Sequence, residues 1–144
     1  MALMRETGIS FATVTHVRES RMPVSAVRAV RGAIQLDVDE REHVLSSTRE
    51  LISSVLAANS LVDDDVISIL FTATPDVHSE FPAVAARDLG FGDVPLMCTQ
   101  ELDVAGAMPL VIRLMAHVNT TLSRGQVTHV YLRGAAALRR DLAQ

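Results

Sequence analysis

The chain has 144 residues, 49% of them hydrophobic, and a formal net charge of -4. That length carries one domain with one core, and the negative balance gives no electrostatic footprint for nucleic acid or an anionic membrane. No apolar run approaches the roughly 18 residues of a membrane span, so the apolar surplus, with a mean hydropathy of +0.26, points to burial against partner subunits.

All 13 basic residues are Arg and none is Lys. A Schiff base, a pyridoxal-phosphate anchor and a P-loop all need a lysine, so those chemistries are excluded. The planar Arg fork suits carboxylates, although genomic base composition alone also replaces Lys by Arg. Cys98 is the single cysteine. It allows neither an intrachain disulfide nor a Cys-rich structural zinc site, which fits a reducing cytoplasm.

Residues 1–23 read as an N-terminal extension and residues 24–144 as the folded domain. Arg5, Glu6, Arg18, Glu19 and Arg21 break up the extension, which lacks the apolar core of a signal peptide. Met22-Pro23 is an alternative start; an arm packed on a neighbour is the other reading. Val24 to Ile34 has strand character, with Val27, Ala29 and Arg31 on one face and Arg28, Val30 and Gly32 on the other. Gly32 permits a close backbone approach or a bulge. Asp37 and Glu40 have capping-box spacing, with Asp37 as N-cap. Val44, Leu45, Leu51, Ile52, Val55 and Leu56 then recur at helical spacing, and Asn59 suits a left-handed terminator.

Val66 to Ala73 is short, β-branched and stopped by Thr74-Pro75, as an interior strand would be. Phe81-Pro82 opens a short helix over Ala83 to Leu89, ended by Gly90. Strands follow at Val94 to Met97, at Leu110 to Asn119 and at Val127 to Leu132. The second carries Val111, Arg113, Met115 and His117 on one face; the third carries Val127, His129 and Tyr131. The expected fold is α+β: a mixed five-stranded sheet with one long helix on one face, its bare face covered by other subunits.

The chemistry concentrates between Pro95 and Arg113, where Cys98, Glu101 and Arg113 stand among apolar residues. Arg113 lies inside Leu110-Val111-Ile112-Arg113-Leu114-Met115. A charge there needs a partner, a ligand or water. Glu101 and an anionic ligand are the candidates; an Arg emerging on a solvated strand face is the bland alternative. Cys98 with His129 offers a nucleophile–base pair without a third orienting group, whereas an isolated Cys is more often a small packed hydrophobe. Asp76, His78 and Glu80 alternate after Pro75, but no further His or Cys stands at a recognised ligand spacing, so no metal site is expected. Arg133, Arg139 and Arg140 form either an anion-covering segment or a charged tail.

Several blocks together carry a resemblance. They are Arg31-Gly32-Ala33, Ala73-Thr74-Pro75-Asp76-Val77-His78, Phe81-Pro82-Ala83, Cys98-Thr99-Gln100-Glu101-Leu102-Asp103-Val104, Ile112-Arg113, His129-Val130-Tyr131-Leu132 and Ala137-Leu138-Arg139. In this order, over about Val27 to Leu142, the sequence resembles the monofunctional chorismate mutases of the trimeric α/β-barrel class. The resemblance implies a cofactor-free, metal-free rearrangement of chorismate to prephenate in aromatic amino-acid biosynthesis. It also implies a cytoplasmic homotrimer, a pseudo-barrel with its sites between subunits and no nucleic acid or membrane partner. By the same resemblance Arg113 donates to the ether oxygen and a nearby carboxylate. Arg31 and Tyr131 bind the side-chain carboxylate, and Glu101 and the Cys98 region meet the ring hydroxyl. Phe81, Ala83, Leu96 and Met97 line the pocket, Leu138 closes it, and Arg87 and Arg139 lie near the mouth. The Phe81 segment comes from the neighbouring subunit. Val84 stands where the family often has Lys, and Met97 where a smaller Thr is common. The alternative is a non-catalytic trimeric ligand-binding module, or a reactive-imine hydrolase of similar architecture.

Overall fold

The computed structural model describes residues 24–139; the expectations for residues 1–23 and for Arg140 lie outside them. Five strands make one mixed sheet in the order β3-β2-β4-β1-β5. They are β1 (Ala26–Gln35), β2 (Val66–Ala73), β3 (Leu96–Gln100), β4 (Val111–Thr120) and β5 (Val130–Leu132). The long helix α1 (Arg41–Ala58) and the short α2 (Pro82–Asp88) accompany it, and a 3-10 helix, Arg133–Arg139, follows β5. The sheet and its long helix are as the residue pattern predicts. Among the described residues no helix is long and apolar enough to cross a membrane.

The two faces of the sheet differ because the strands alternate. On β1 and β4, Val30, Ile34, Ile112, Leu114, Ala116 and Val118 turn inward and are buried. They pack with Val44, Leu51, Ile52 and Val55 of α1 into the main core. Each of these Val, Leu and Ile side chains contributes about 1.5–3 kcal/mol on full burial. Gly32 is where the helix comes closest: an added Cβ would lie 3.0 Å from both Leu51 Cδ1 and Val55 Cγ2. The residue marks close approach, without a bulge between β1 and β4, whose pairing runs unbroken from Ala26↔Thr120 to Gln35↔Val111.

Several local expectations change. Asp37 is not the N-cap: Glu40 precedes the helix in extended conformation, with no side-chain cap bond. The Asp37 N–H instead donates to His43 Nε2 at 3.0 Å. Asn59 is not left-handed (φ -114°); Ser60 takes that conformation at φ 53°. Asn59 is spent on a longer-range task, because its carboxamide donates to Val55 O and Thr128 O and accepts from Thr128 N–H. That clasp fixes the approach to β5, which is shorter than expected because Val127 closes a turn onto Ser123 O. β3 is displaced toward the C-terminus: Val94 N–H bonds Phe91 O in a turn, and pairing with β2 runs from Ile69↔Leu96 to Ala73↔Gln100. The segment after Leu132, expected to be a charged tail or an anion cover, is a 3-10 helix. Its first residue, Arg133, turns onto α1, donating to Ser47 Oγ at 3.0 Å and to Glu50 at 2.7 Å.

Candidate active site

The face away from α1 holds the site. Sheet pairing sets Tyr131 beside Ala33, Ala33 beside Arg113, Arg113 beside Thr72, and Thr72 beside Thr99. One row of residues therefore crosses all five strands. Ala33 is buried beneath it, packed with Val111, Ala135, Tyr131 and Leu138. The next row sets Arg31 beside Met115, Met115 beside Leu70, and Leu70 beside Met97. A small residue between a tyrosine and an arginine leaves a depression. A cavity of about 200 Å³ opens there, lined by Arg31, Ala33, Thr72, Arg113, Tyr131 and Arg139 among others.

Glu101 follows β3, and its N–H bonds Ala73 O at 2.9 Å. Its side chain, only 18% exposed, reaches the row from the edge: Oε1 lies 2.7 Å from Arg113 Nε and accepts the Thr72 hydroxyl at 2.7 Å. The Arg113 contact is an ion pair rather than an aligned hydrogen bond. The Nε atom is shielded from solvent, yet its N–H has no aligned acceptor. The side chain as a whole remains 43% exposed. The charge in the apolar run thus has the expected partner and a solvent-facing cavity as well.

The opposite edge holds the other expected residues. Phe81 and Cys98 line a separate cavity of about 300 Å³ with Val77, Ser79, Thr99 and Gln100. No residue lines both cavities. The Phe81 segment is clipped in place. Asp39 accepts from His78 N–H, Ser79 N–H and Ser79 Oγ. Glu80 pairs with Arg41 at 2.9 Å and accepts from Phe81 N–H, and Asp76 accepts from Leu110 N–H. Asp76, His78 and Glu80 thereby go to different partners. Leu96 and Met97 border a third groove, with Ser68, Leu70 and His117. Ala83 is 4% exposed in the main core, and Arg87 is exposed at the end of α2.

Cys98 and His129 do not form a nucleophile–base pair within the chain. Cys98 is on β3, one edge of the sheet, and His129 precedes β5, the other edge. Four strand spacings, roughly 19 Å, separate those edges. Burial pushes the Cys98 thiol up, against the opposing pull of the Ala83 N–H and the Arg87 charge. His129 is a structural acceptor: its Nδ1 takes the Arg31 N–H at 3.0 Å. Burial lowers its affinity for a proton, and the Arg31 and Arg139 charges lower it further. These two cations therefore stand close to the same imidazole, at the end of the cavity where Tyr131 lies.

Thr72 and Leu70 line this cavity and are not singled out by the sequence pattern, whereas Ala33 and Met115 are named in that pattern only beside Arg31 and Arg113. Thr72 lies in a run too uniformly apolar to show which alternate residues face outward. Only the pairing with Arg113 places it.

Comparison with known proteins follows the same blocks. Residues 27–142 match the family model for chorismate mutase type I. The chain is 44% identical over 117 residues to the chorismate mutase AroH of Thermus thermophilus, covering 81% of this chain and 96% of that protein. It is 40% identical over 118 residues to the chorismate mutase AroH of Bacillus subtilis (strain 168), covering 81% and 93%. A solved chorismate mutase from Clostridium thermocellum superposes with a TM-score of 0.75 at 40% identity, over 76% of this chain and 98% of that one.

Proposed function

Because the chain belongs to the type I chorismate mutase family, we propose that it rearranges chorismate to prephenate at a site completed by a neighbouring copy of itself. It is an isomerase: one ether C–O bond breaks, one C–C bond forms, and no group leaves. The work is to hold the compact conformer and to meet charge that separates across the breaking bond.

The observation that carries this reading is the buried Arg113 Nε–H, held 2.7 Å from Glu101 yet without an aligned acceptor. A fixed cation with unspent donors, beside a cavity, is suited to an oxygen that becomes more negative in the transition state. Arg113 would serve the ether oxygen, Arg31 and Tyr131 the side-chain carboxylate, and Glu101 the ring hydroxyl. Arg139 would add positive charge at the mouth, and Leu138, packed against Ala33 and Val111, would hold the closing segment in place.

Among the described residues that cavity is open on one side. Phe81 and Cys98 border a different one on the same chain. Exposed Val27, Met97 and Met115 lie on the sheet face that α1 leaves bare. Both facts support a homotrimer in which the Phe81 edge of one subunit closes the Arg113 cavity of the next, with Arg87 near the mouth. The family match supports a role in aromatic amino-acid biosynthesis, and the single thiol fits a cytoplasmic setting. Residues 1–23 precede the family match and are proposed to be an extension outside the catalytic domain.

Incubating the purified protein with chorismate, following the loss of its ultraviolet absorbance and identifying prephenate as product, tests the activity. Absence of turnover would refute it. Light scattering should give about three times the 15.6 kDa chain mass; a stable, active monomer would refute the shared site.

A further inference from the structure

The catalytic scheme gives Thr72 no task, yet its hydroxyl holds the carboxylate on which that scheme depends. Thr72 is half-buried on β2 and stands directly beside Arg113 in the sheet. It donates to Glu101 Oε1 at 2.7 Å, the same oxygen that lies 2.7 Å from Arg113 Nε. The hydroxyl makes a hydrogen bond to that oxygen, whereas the Arg113 Nε–H is not aimed at it. Thr72 and Arg113 therefore meet the same carboxylate oxygen, Thr72 as its hydrogen-bond donor and Arg113 as its ion-pair partner.

We infer that Thr72 is a positioning residue, which keeps Glu101 and Arg113 from satisfying one another and so leaves both available to the substrate. The inference rests on the chorismate mutase reading. A β-branched side chain is stiff about χ1, so a strand Thr aims its hydroxyl reproducibly. Glu101 is then held twice, by its N–H on Ala73 O and by its Oε1 on Thr72. Among the described residues none donates a hydrogen bond to Oε2, which is free to accept the ring hydroxyl. Arginine and carboxylate left to themselves favour a two-bond fork. Without the Thr72 hydroxyl the pair relaxes toward that fork, and the donors meant for the ether oxygen are used on Glu101.

The test is a double-variant cycle. Thr72→Val keeps the shape and the β-branch but removes the hydroxyl; Thr72→Ser restores it. Each is compared with the unaltered chain, with Glu101→Ala and with Thr72→Val/Glu101→Ala. Thr72→Val is expected to lower kcat by roughly 10- to 100-fold, the range for a misplaced charged hydrogen bond. KM should change less, and the melting temperature should hold or rise. Thr72→Ser should recover most of the rate. In the Glu101→Ala background Thr72→Val should cost little more, because its effect runs through the carboxylate. An equal loss in both backgrounds, a Ser variant as poor as Val, or near-normal kcat in Thr72→Val would overturn the role. An unaltered chain that leaves chorismate unchanged would refute the activity itself, and the positioning role with it.

Discussion

The cavity around Arg113 and the cavity around Phe81 are built by different means. The first is a property of the sheet: Tyr131, Ala33, Arg113 and Thr72 occupy one row fixed by backbone pairing. The second is a property of a loop, held by Asp39, by Glu80 with Arg41, and by Asp76 on Leu110. Three arginines, Arg31, Arg113 and Arg139, line the sheet-built cavity, and none lines the clipped one. Electrostatic stabilisation demands the more exact placement, since a misaimed donor loses most of its effect. An apolar wall tolerates more movement. The two halves should therefore fail differently when altered.

The largest effect is expected at Arg113. Replacing it with citrulline keeps the shape and removes the charge. Loss of one preorganised donor costs ~10²–10³ in kcat, roughly 2.7–4 kcal/mol, and loss of the full charge should cost at least that. Assembly and melting temperature should survive. Arg113→Lys keeps charge without the planar fork and should also be badly impaired. Steady-state kinetics beside thermal melts would decide; a fall in stability with normal turnover of the folded enzyme would make Arg113 a structural ion pair.

A milder result is expected in the other half. Asp39→Asn should loosen the Phe81 segment and raise KM by about 3- to 10-fold, the value of a typical net hydrogen bond, with kcat less affected. Burial pushes the Asp39 carboxyl up, but the Ser79 hydroxyl and the His78 and Ser79 N–H groups outweigh it, so it titrates below its ordinary value of 3.8. A depressed carboxylate contributes stability that is complete above its unfolded pKa and lost as pH falls through the folded one. The clip should thus hold at neutral pH and open only below about pH 4. KM rising already between pH 7 and 5 for want of this clip would contradict it.

How far each half could be read from the chain follows from the same difference. The two-residue period placed Arg113 on a face with Met115 and His117, and Gly32 on a face with Val30, but left open whether Gly32 marks a close approach or a bulge. It could not tell how far β3 slides along β2, so Cys98, expected beyond the strand, lies within it. The Cys98–His129 pair failed because strand order is not local information. Asn59 and Arg133 were misread because each reaches across the fold, to Thr128 and to Glu50. Thr72 was passed over because nothing in Val-Ile-Ser-Ile-Leu-Phe-Thr-Ala marks one threonine as facing an arginine.

The smallest effect concerns the support under Arg31. His129 accepts the Arg31 N–H as a neutral ring, and burial with two nearby cations lowers its proton affinity. The unfolded chain then binds this proton at higher pH than the folded one, so stability should fall as pH drops below about 6.5. Melting temperatures of the unaltered chain and of His129→Gln, from pH 8 to 5, should converge toward the acid end. Parallel curves would show that His129 does not supply the pH dependence.

The proposed division of the site between subunits has a direct test. Arg113→Ala damages only the sheet-built half, and Phe81→Glu only the clipped half; each variant alone should assemble and turn over chorismate poorly. Refolding or co-expressing the two together should give mixed oligomers, trimers on the proposed assembly. If the Arg113 cavity of one chain is closed by the Phe81 edge of another, some sites in the mixture combine two intact halves, and chorismate turnover should rise well above that of either parent. Turnover no higher than the average of the parents, in trimers shown to be mixed, would place both halves of each site on one chain and contradict the account.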